Sequence, residues 1–406
     1  MPGDPNPAPS SSTTDAGPGR PIRLVVLFGG RSAEHDVSCV SARHVLAAVD
    51  PSRFRVDPIG ITRDGTWVRA EDAAAALAAG AEALPDHLTA AGPTVDALPV
   101  LAAGSMAATP TDGEITVVFP VLHGPLGEDG TMQGLLELAG VPYVGAGVLA
   151  SALCMDKIAA KDHLRAHGLP QGSYRGLIVD DGAVHLPDGR RSTVPEVAPE
   201  LVADLGLPLF VKPANMGSSV GVSRAVDLGA VVAAIEHAAS YDQRVIVEEA
   251  VRGREIEVAV LGDTDPEASL PGEIRPGADF YDYSDKYDDG AELLIPADLH
   301  DDEVAEVQAL AIRTYRALGV EGLARVDFFY EDRGRDPDSV GPDGTIRGDR
   351  GWLVGEINTM PGFTPISMYP KMWTVSGLPY PALIETLVDL AMARHQRRIR
   401  HTRTDH

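Results

Sequence analysis

Apolar residues fall first into unbroken blocks and then into helical spacing. Residues 22–30, IRLVVLFGG, read as a buried strand ending in a glycine turn. Residues 33–49 follow with apolar side chains at Val37, Val40 and Val45, the period of a helix. Residues 54–62 and 115–124 are further apolar strands, and such continuous runs suit a parallel sheet covered on both faces. Between these two strands, the alanine-rich 71–108 predicts one helix and then irregular chain. A helix at 131–139 and a short strand in VPYVGAG close this first unit near residue 150.

Beyond that point the pattern changes. One helix is predicted over 151–167, stopped by Gly168 and Pro170. Strands at 210–213, 220–224 and 244–249 follow, with a helix at 228–239. The last third holds GREIEVAVLG, a helix over 301–318, and the strands GLARVDFFYED and WLVGEIN. A Gly/Asp/Arg-rich stretch at 332–350 lies between those two strands and reads as a solvated hairpin tip. The expected class is α/β. An N-terminal parallel-sheet domain over 21–150 precedes two α+β domains, 151–249 and 250–400, and residues 1–20, rich in Pro, Ser, Gly and Thr, form a disordered tail.

Composition narrows the function. A net charge of −25 opposes a nucleic-acid surface, which needs a basic stripe to displace counterions. No apolar run reaches the roughly 18 residues of a membrane span, and no signal peptide opens the chain, so a cytoplasmic protein is expected. The two cysteines, Cys39 and Cys154, have no metal spacing and read as core residues. Five lysines stand against 29 arginines, which marks Lys157, Lys161, Lys212, Lys286 and Lys371 as candidates for work that needs a compact ammonium. Lys161, close to Lys157 on a predicted helix, also fits a plain surface role.

The chemistry sits at strand ends. LFGGRSAEHDVS is not G-x-G-x-x-G, so it is either a tight turn or a ligand edge where Glu34 meets an ammonium. HGPLGEDGT offers three glycines for close backbone approach, while His123 is either a core histidine or part of a site. In FVKPANMGSSVG the lysine precedes the glycines, the reverse of a Walker A loop. Lys212 therefore leaves a strand, and Met216, Gly217, Ser218 and Ser219 form a separate flap whose N–H groups can cover phosphate; a hairpin with an incidental lysine is the alternative. Glu248, Glu249 and Glu255 surround a strand-to-loop transition and could contact adenine and ribose or face solvent. The sharpest signal is ARVDFF with GEINTMPG. Asp327 on one strand and Glu356 with Asn358 on another, the latter two on one face, present three hard oxygen ligands suited to Mg²⁺, with Arg325 pointing the same way.

Taken in order from residue 22 to the C-terminal helix, LFGGRSAEHDVS, HGPLGEDGT, MDK, VKPANMGSSVG, VEEAVRGREIEVAV, FYDYSDKY, ARVDFF and GEINTMPGFTPISMYP resemble the ATP-grasp superfamily and, within it, the D-alanine–D-alanine ligase family. The resemblance implies a three-domain ATP-grasp fold with ATP between the central and C-terminal domains, and ATP-dependent ligation of two D-alanines through an acyl phosphate for peptidoglycan synthesis. It implies phosphate contacts from Lys157, Lys212, Ser218 and Ser219, further nucleotide contacts from Glu248, Glu249, Val251, Glu255 and Lys286, and two Mg²⁺ ions, with Mn²⁺ as a substitute, on Asp327, Glu356 and Asn358. Glu34, supported by Ser218 and Tyr287, would bind the first D-alanine, with His123 nearby. Arg325, the Gly362 N–H and Ser367 would surround the second D-alanine and the oxyanion, and Met368 would flank that pocket, where an arginine would hint at D-serine. Tyr281, Tyr283, Lys286 and Tyr287 would form the closing loop, and the partner is expected to be a second copy in a homodimer. The competing expectations are an amino-acid ligase with another second substrate and a non-catalytic nucleotide-binding regulator.

Overall fold

The computed structural model describes residues 22–102, 115–275, 292–331, 350–364 and 366–402. The first sheet is built from β1 (Ile22–Gly29), β2 (Phe54–Ile61), β3 (Trp67–Arg69) and β4 (Ile115–Pro120), in the order β3-β2-β1-β4. β1 pairs parallel with both β2 and β4. Strand alternation sends its side chains into two cores. Leu24, Val26 and Phe28 join Cys39, Val45 and Leu46 of α1 (His35–Ala48), whereas Val25 and Leu27 join Leu101 of α3 and Met132 and Leu136 of α4. Here α2 is Glu71–Ala79, α3 is Ala97–Ala102 and α4 is Thr131–Ala139. Sheet coverage on both faces explains why the β1 sequence has no polar alternation.

VPYVGAG forms only an isolated parallel bridge, Val118 to Tyr143, not the expected strand. The single helix expected over 151–167 is two helices, α5 (Val148–Met155) and α6 (Lys157–Ala166). Asp156 breaks the run with extended backbone (φ −83°, ψ 103°), and its carboxylate accepts Ala159 N at 2.9 Å as an N-cap. The same carboxylate accepts Arg244 Nε at 2.7 Å, a bond that an uninterrupted helix would not aim.

The second sheet has the order β7-β6-β5-β10-β8-β9 and is antiparallel throughout. Its strands are β5 (Tyr174–Asp180), β6 (Ala183–His185), β7 (Arg191–Thr193), β8 (Leu209–Pro213), β9 (Ser223–Ala225) and β10 (Arg244–Glu249). Helices α7 (Val194–Leu205) and α8 (Leu228–Ala239) cover one face. The hydrophobic pattern does not predict α7, because its interior Pro199 masks the helical period; Pro195 in its first turn and the Thr193–Glu196 capping box start it.

The third sheet runs β14-β13-β11-β15-β16, with β12 beside β11. It comprises β11 (Arg254–Gly262), β12 (Glu267–Ala268), β13 (Gly272–Arg275), β14 (Glu292–Leu294), β15 (Gly322–Glu331) and β16 (Gly351–Asn358). α9 (Asp301–Ala317) packs on it together with α5 and α6. Finally α10 (Met368–Val375) and α11 (Tyr380–Thr402) return to the first sheet, where Leu383 and Leu387 share a core with Leu24 and Phe119. The hydrophobic cores therefore link elements distant in sequence, and the last helix packs against α1 and β4 of the first unit.

Both cysteines are buried and free, and burial pushes the Cys39 thiol up to about 12 and the Cys154 thiol higher still. They are packing residues, as expected. Among the described residues no helix is long and apolar enough to cross a membrane. The expected tail, the closing loop with Tyr281, Tyr283, Lys286 and Tyr287, and the insertion at 332–349 lie outside the described residues; the strands flanking that insertion pair antiparallel, as a hairpin requires.

Candidate active site

Two turns at the carboxyl ends of adjacent parallel strands form one wall of a cleft. After β1, Gly29 and Gly30 take φ of +88° and +98°, and a β-carbon on Gly29 would come within 2.3 Å of Ile61 O, so only glycine fits. This turn delivers Ser32 and Glu34 to the start of α1. After β4, Gly124 (φ +75°) backs onto Glu34, where a β-carbon would lie 2.6 Å from Glu34 Oε2. Ser32 Oγ donates to His123 O at 2.6 Å and ties the two turns together, while Gly124 N donates to Glu128 Oε1 at 2.7 Å within the second.

His123 is buried, and its ring is fully occupied. Nδ1 lies 3.1 Å from Met360 O, which can only accept, so Nδ1 carries the proton. Nε2 then accepts from Ser41 Oγ at 3.1 Å, while Ser41 Oγ itself accepts from Phe363 N. Burial holds the imidazole pKa below its ordinary value, against the opposing pull of Glu34 and the Met360 carbonyl. A neutral histidine here braces the wall; it does not present a free nitrogen to a substrate. Glu128, which the sequence did not single out, is buried beside it. Burial, followed by the nearby Glu34, raises its carboxyl to about 8.

The flap folds over this wall. Ser218 Oγ donates to Glu34 Oε1, and Lys157 Nζ donates to Met216 O at 2.8 Å. The left-handed residues are Ser218 (φ +48°) and Ser219 (φ +59°), not Gly217. Two non-glycine residues held there store strain of order 1–3 kcal/mol each. Gly217 instead lets the flap approach closely, since a β-carbon there would come within 2.7 Å of Glu34 Oε2 and push the carboxylate aside.

Opposite lie β15 and β16. Asp327 pairs across the strands with Glu356, and Arg325 with Asn358, with a bulge after Asp327. Arg325 grips Asp327 through two bonds of 2.7 and 2.8 Å and also lies 3.2 Å from Glu257. Burial alone would lower the guanidinium pKa, but Asp327 and Glu257 outweigh it and hold it well above its usual range. Lys157 Nζ lies 3.2 Å from Glu356, and Asn358 Oδ1 accepts Met360 N at 2.9 Å. Among the described residues no three His, Cys, Asp or Glu side chains gather as a metal site. Here the third donor is an amide, and two carboxylates with an amide oxygen are the hard donors that suit Mg²⁺. Glu34, Lys157, Ser218, Arg325, Asp327, Glu356 and Asn358 line one cleft, with Glu128, Met216 and Gly217 between them.

The nucleotide candidates lie on the second sheet. Lys212 on β8 places Nζ 2.7 Å from Glu248 Oε2 on β10. Burial would lower the ammonium pKa, but Glu248, Glu356 and Glu255 raise it. Conversely, burial works against ionisation of Glu248, yet Lys161 and Lys212 hold it far below the carboxylate range. Lys161 therefore belongs to this cluster and is no surface residue. Strand alternation turns the neighbouring Glu249 away. Its carboxylate accepts Ser173 N at 2.6 Å and pairs with Arg350 at 2.6 Å, so the side chain lies away from the Lys161–Glu248–Lys212 cluster. Val251, in the turn after β10, packs near Gly172.

The remaining candidates surround α10. Ser367 Oγ accepts Thr364 N at 3.0 Å, and a β-carbon on Gly362 would sit 2.6 Å from it and displace the hydroxyl. Met368 opens the helix beside Ser367. It is buried in the core and its methyl presses on Gly272 beside Met372, because the first turn of α10 aims its apolar face inwards. Lys286 and Tyr287 lie outside the described residues. The sequence singles out neither Glu128 nor Asp156, and it leaves Lys161 open between a working lysine, which the shortage of lysine suggests, and a plain surface residue.

Two family models match the chain, the D-ala D-ala ligase N-terminus over residues 23–146 and the D-ala D-ala ligase C-terminus over residues 164–337 and 340–389. The D-alanine–D-alanine ligase of Mycobacterium sp. (strain KMS) is 48% identical over 389 residues, covering 92% of this chain and 96% of its relative. A solved D-alanine–D-alanine ligase from Coxiella burnetii aligns with a TM-score of 0.73 at 35% identity, over 95% of this chain and 98% of that one. The VanG D-Ala:D-Ser ligase from Enterococcus faecalis aligns with a TM-score of 0.71 at 33% identity, over 92% and 100%.

Proposed function

The chain belongs to the D-alanine–D-alanine ligase family, and from that premise we propose how its cleft carries out the reaction. The fold is the ATP-grasp architecture, and the activity is ATP-dependent, ADP-forming ligation of two D-alanines into D-alanyl-D-alanine for peptidoglycan. One observation carries the assignment of roles. A single cleft brings the Glu34 carboxylate, the flap that touches it, and the Asp327–Glu356 strand pair to one place.

In this reading, Glu34 binds the ammonium of the first D-alanine, held in place by Ser218. The substrate carboxylate then attacks the γ-phosphate, and Lys157 and Lys212 bind the phosphates while the Met216–Ser219 flap covers them. Asp327, Glu356 and Asn358 would hold Mg²⁺, which when bound neutralises charge on the transferring phosphoryl group. The amine of the second D-alanine next displaces phosphate from the acyl phosphate. Arg325 and the Gly362 N–H stabilise the oxyanion, each donor contributing roughly 3 to 4 kcal/mol by the magnitude seen in comparable sites. Closing the flap excludes water, which would otherwise hydrolyse the acyl phosphate. Glu248, Glu255 and the Val251 backbone face the nucleoside, and Ser367 supports the second substrate.

We assign these roles to three domains, 21–150, 151–249 and 250–400. Two Mg²⁺ ions, a homodimer and a cytoplasmic location complete the proposal. The structural likeness to a D-Ala:D-Ser ligase motivates the choice of test. Phosphate release is measured with ATP and Mg²⁺ against D-alanine, D-serine and D-lactate. Saturable release is expected with D-alanine, and release confined to another second substrate would overturn the assignment.

A further inference from the structure

One carboxylate holds two lysines. Glu248 Oε1 lies 2.9 Å from Lys161 Nζ and Oε2 lies 2.7 Å from Lys212 Nζ. The side chains of Lys161 and Glu248 are 8% and 13% exposed, so the pair is shielded from solvent and its geometry is maintained. Lys161 comes from α6, where its carbonyl accepts Gln171 Nε2 at 2.8 Å and its ammonium lies 5.5 Å from the Tyr174 ring centre. Lys212 comes from β8 and is the more exposed of the two, at 26%.

These two lysines have different tasks. A phosphate that draws Lys212 towards itself releases Glu248 Oε2, while Lys161 keeps Oε1. The carboxylate then stays charge-compensated and offers one acceptor oxygen in a fixed direction. A carboxylate accepts and does not donate, so that oxygen binds an exocyclic amino group and repels a carbonyl oxygen. We propose that Lys161 is a positioning residue that fixes Glu248 to recognise a purine bearing a 6-amino group, and thereby sets the preference for adenine over 6-oxopurine nucleotides. This rests on Glu248 facing the base, as proposed above.

The test compares kcat/KM for ATP with kcat/KM for inosine triphosphate, which carries a 6-oxo group in place of the 6-amino group. The ratio is independent of how much enzyme is folded. Lys161→Met is expected to lower it by roughly tenfold, the size of a charge-assisted hydrogen bond, with the change falling on KM for ATP more than on kcat. Lys161→Arg is expected to keep the wild-type ratio. Because Lys161 acts through Glu248, adding Lys161→Met to Glu248→Gln is expected to lower the ratio no further than Glu248→Gln does alone. A wild-type ratio in Lys161→Met beside a lost ratio in Glu248→Gln would overturn the role of Lys161 and leave that of Glu248 standing. A wild-type ratio in Glu248→Gln would remove both. Should Lys161→Met lose turnover entirely, the double variant decides: recovered turnover with the Glu248→Gln ratio supports the inference, and a dead double variant overturns it.

Discussion

Gly217 and Glu34, 183 positions apart in the chain, are packed so closely that a β-carbon on Gly217 would come within 2.7 Å of Glu34 Oε2. In the proposed mechanism, the flap that covers the phosphates closes directly on the group that binds the first amino acid. Gly217→Ala is expected to hold the flap off Glu34. The kcat/KM for D-alanine should fall by roughly tenfold or more, the loss of about one charge-assisted contact, while the melting temperature changes little. Steady-state ADP release and a thermal melt on the same preparation check both halves.

Lys212 and Glu356 stand on different sheets, and the proposed mechanism has both act on one phosphoryl group. Lys212→Ala and Glu356→Gln are each expected to lower kcat by about a hundredfold or more, the scale of losing one preorganised electrostatic contact. Far-ultraviolet circular dichroism should match that of the wild type. Near-normal kcat in either variant would remove that residue from the proposed site.

Glu249 makes the opposite prediction from Glu248. Its carboxylate is buried between Arg350 and Ser173 N, so Glu249→Ala should destabilise the fold by about 1 to 3 kcal/mol in urea melts. The KM for ATP should stay within about twofold, because the lost carboxylate faces away from the lysine cluster.

The buried Glu128 makes stability depend on pH. Its folded pKa is raised from 4.5 to about 8, so between those values the folded state holds a proton that the unfolded state has lost. The contribution is fully present below 4.5 and is lost as pH rises towards 8. Glu128→Gln keeps an acceptor for Gly124 N without the charge. Its melting temperature should gain on that of the wild type as pH rises from 5 to 8, and a difference that shrinks over this range would contradict the burial argument.

The grouping of Asp327, Glu356 and Asn358, the proposed metal donors, is legible in the sequence because its logic is local. Residues two apart on a strand share a face, so Glu356 and Asn358 point together, and the antiparallel partner that carries Asp327 and Arg325 lies directly across from them. The lysine-first order ahead of the flap is equally local. Other expectations fail where a local pattern meets a distant partner. Asp156 reads as one more helical position until Arg244 and Asn215 approach it. Met368 adjoins Ser367 in sequence, yet the helix that begins there turns it into the core.

By itself, the sequence determined the buried parallel strands, the glycine turns at their ends, and which residue types could handle phosphate and metal, because backbone periodicity and side-chain chemistry are properties of short segments. Only the tertiary structure decided which charges meet. Ion pairs such as Lys161–Glu248 and Arg350–Glu249 join residues 87 and 101 positions apart, and no period in the chain encodes them. They are fixed by the docking of α6 and β16 against the central sheet, and that docking separates a lysine that works from one that merely decorates a helix.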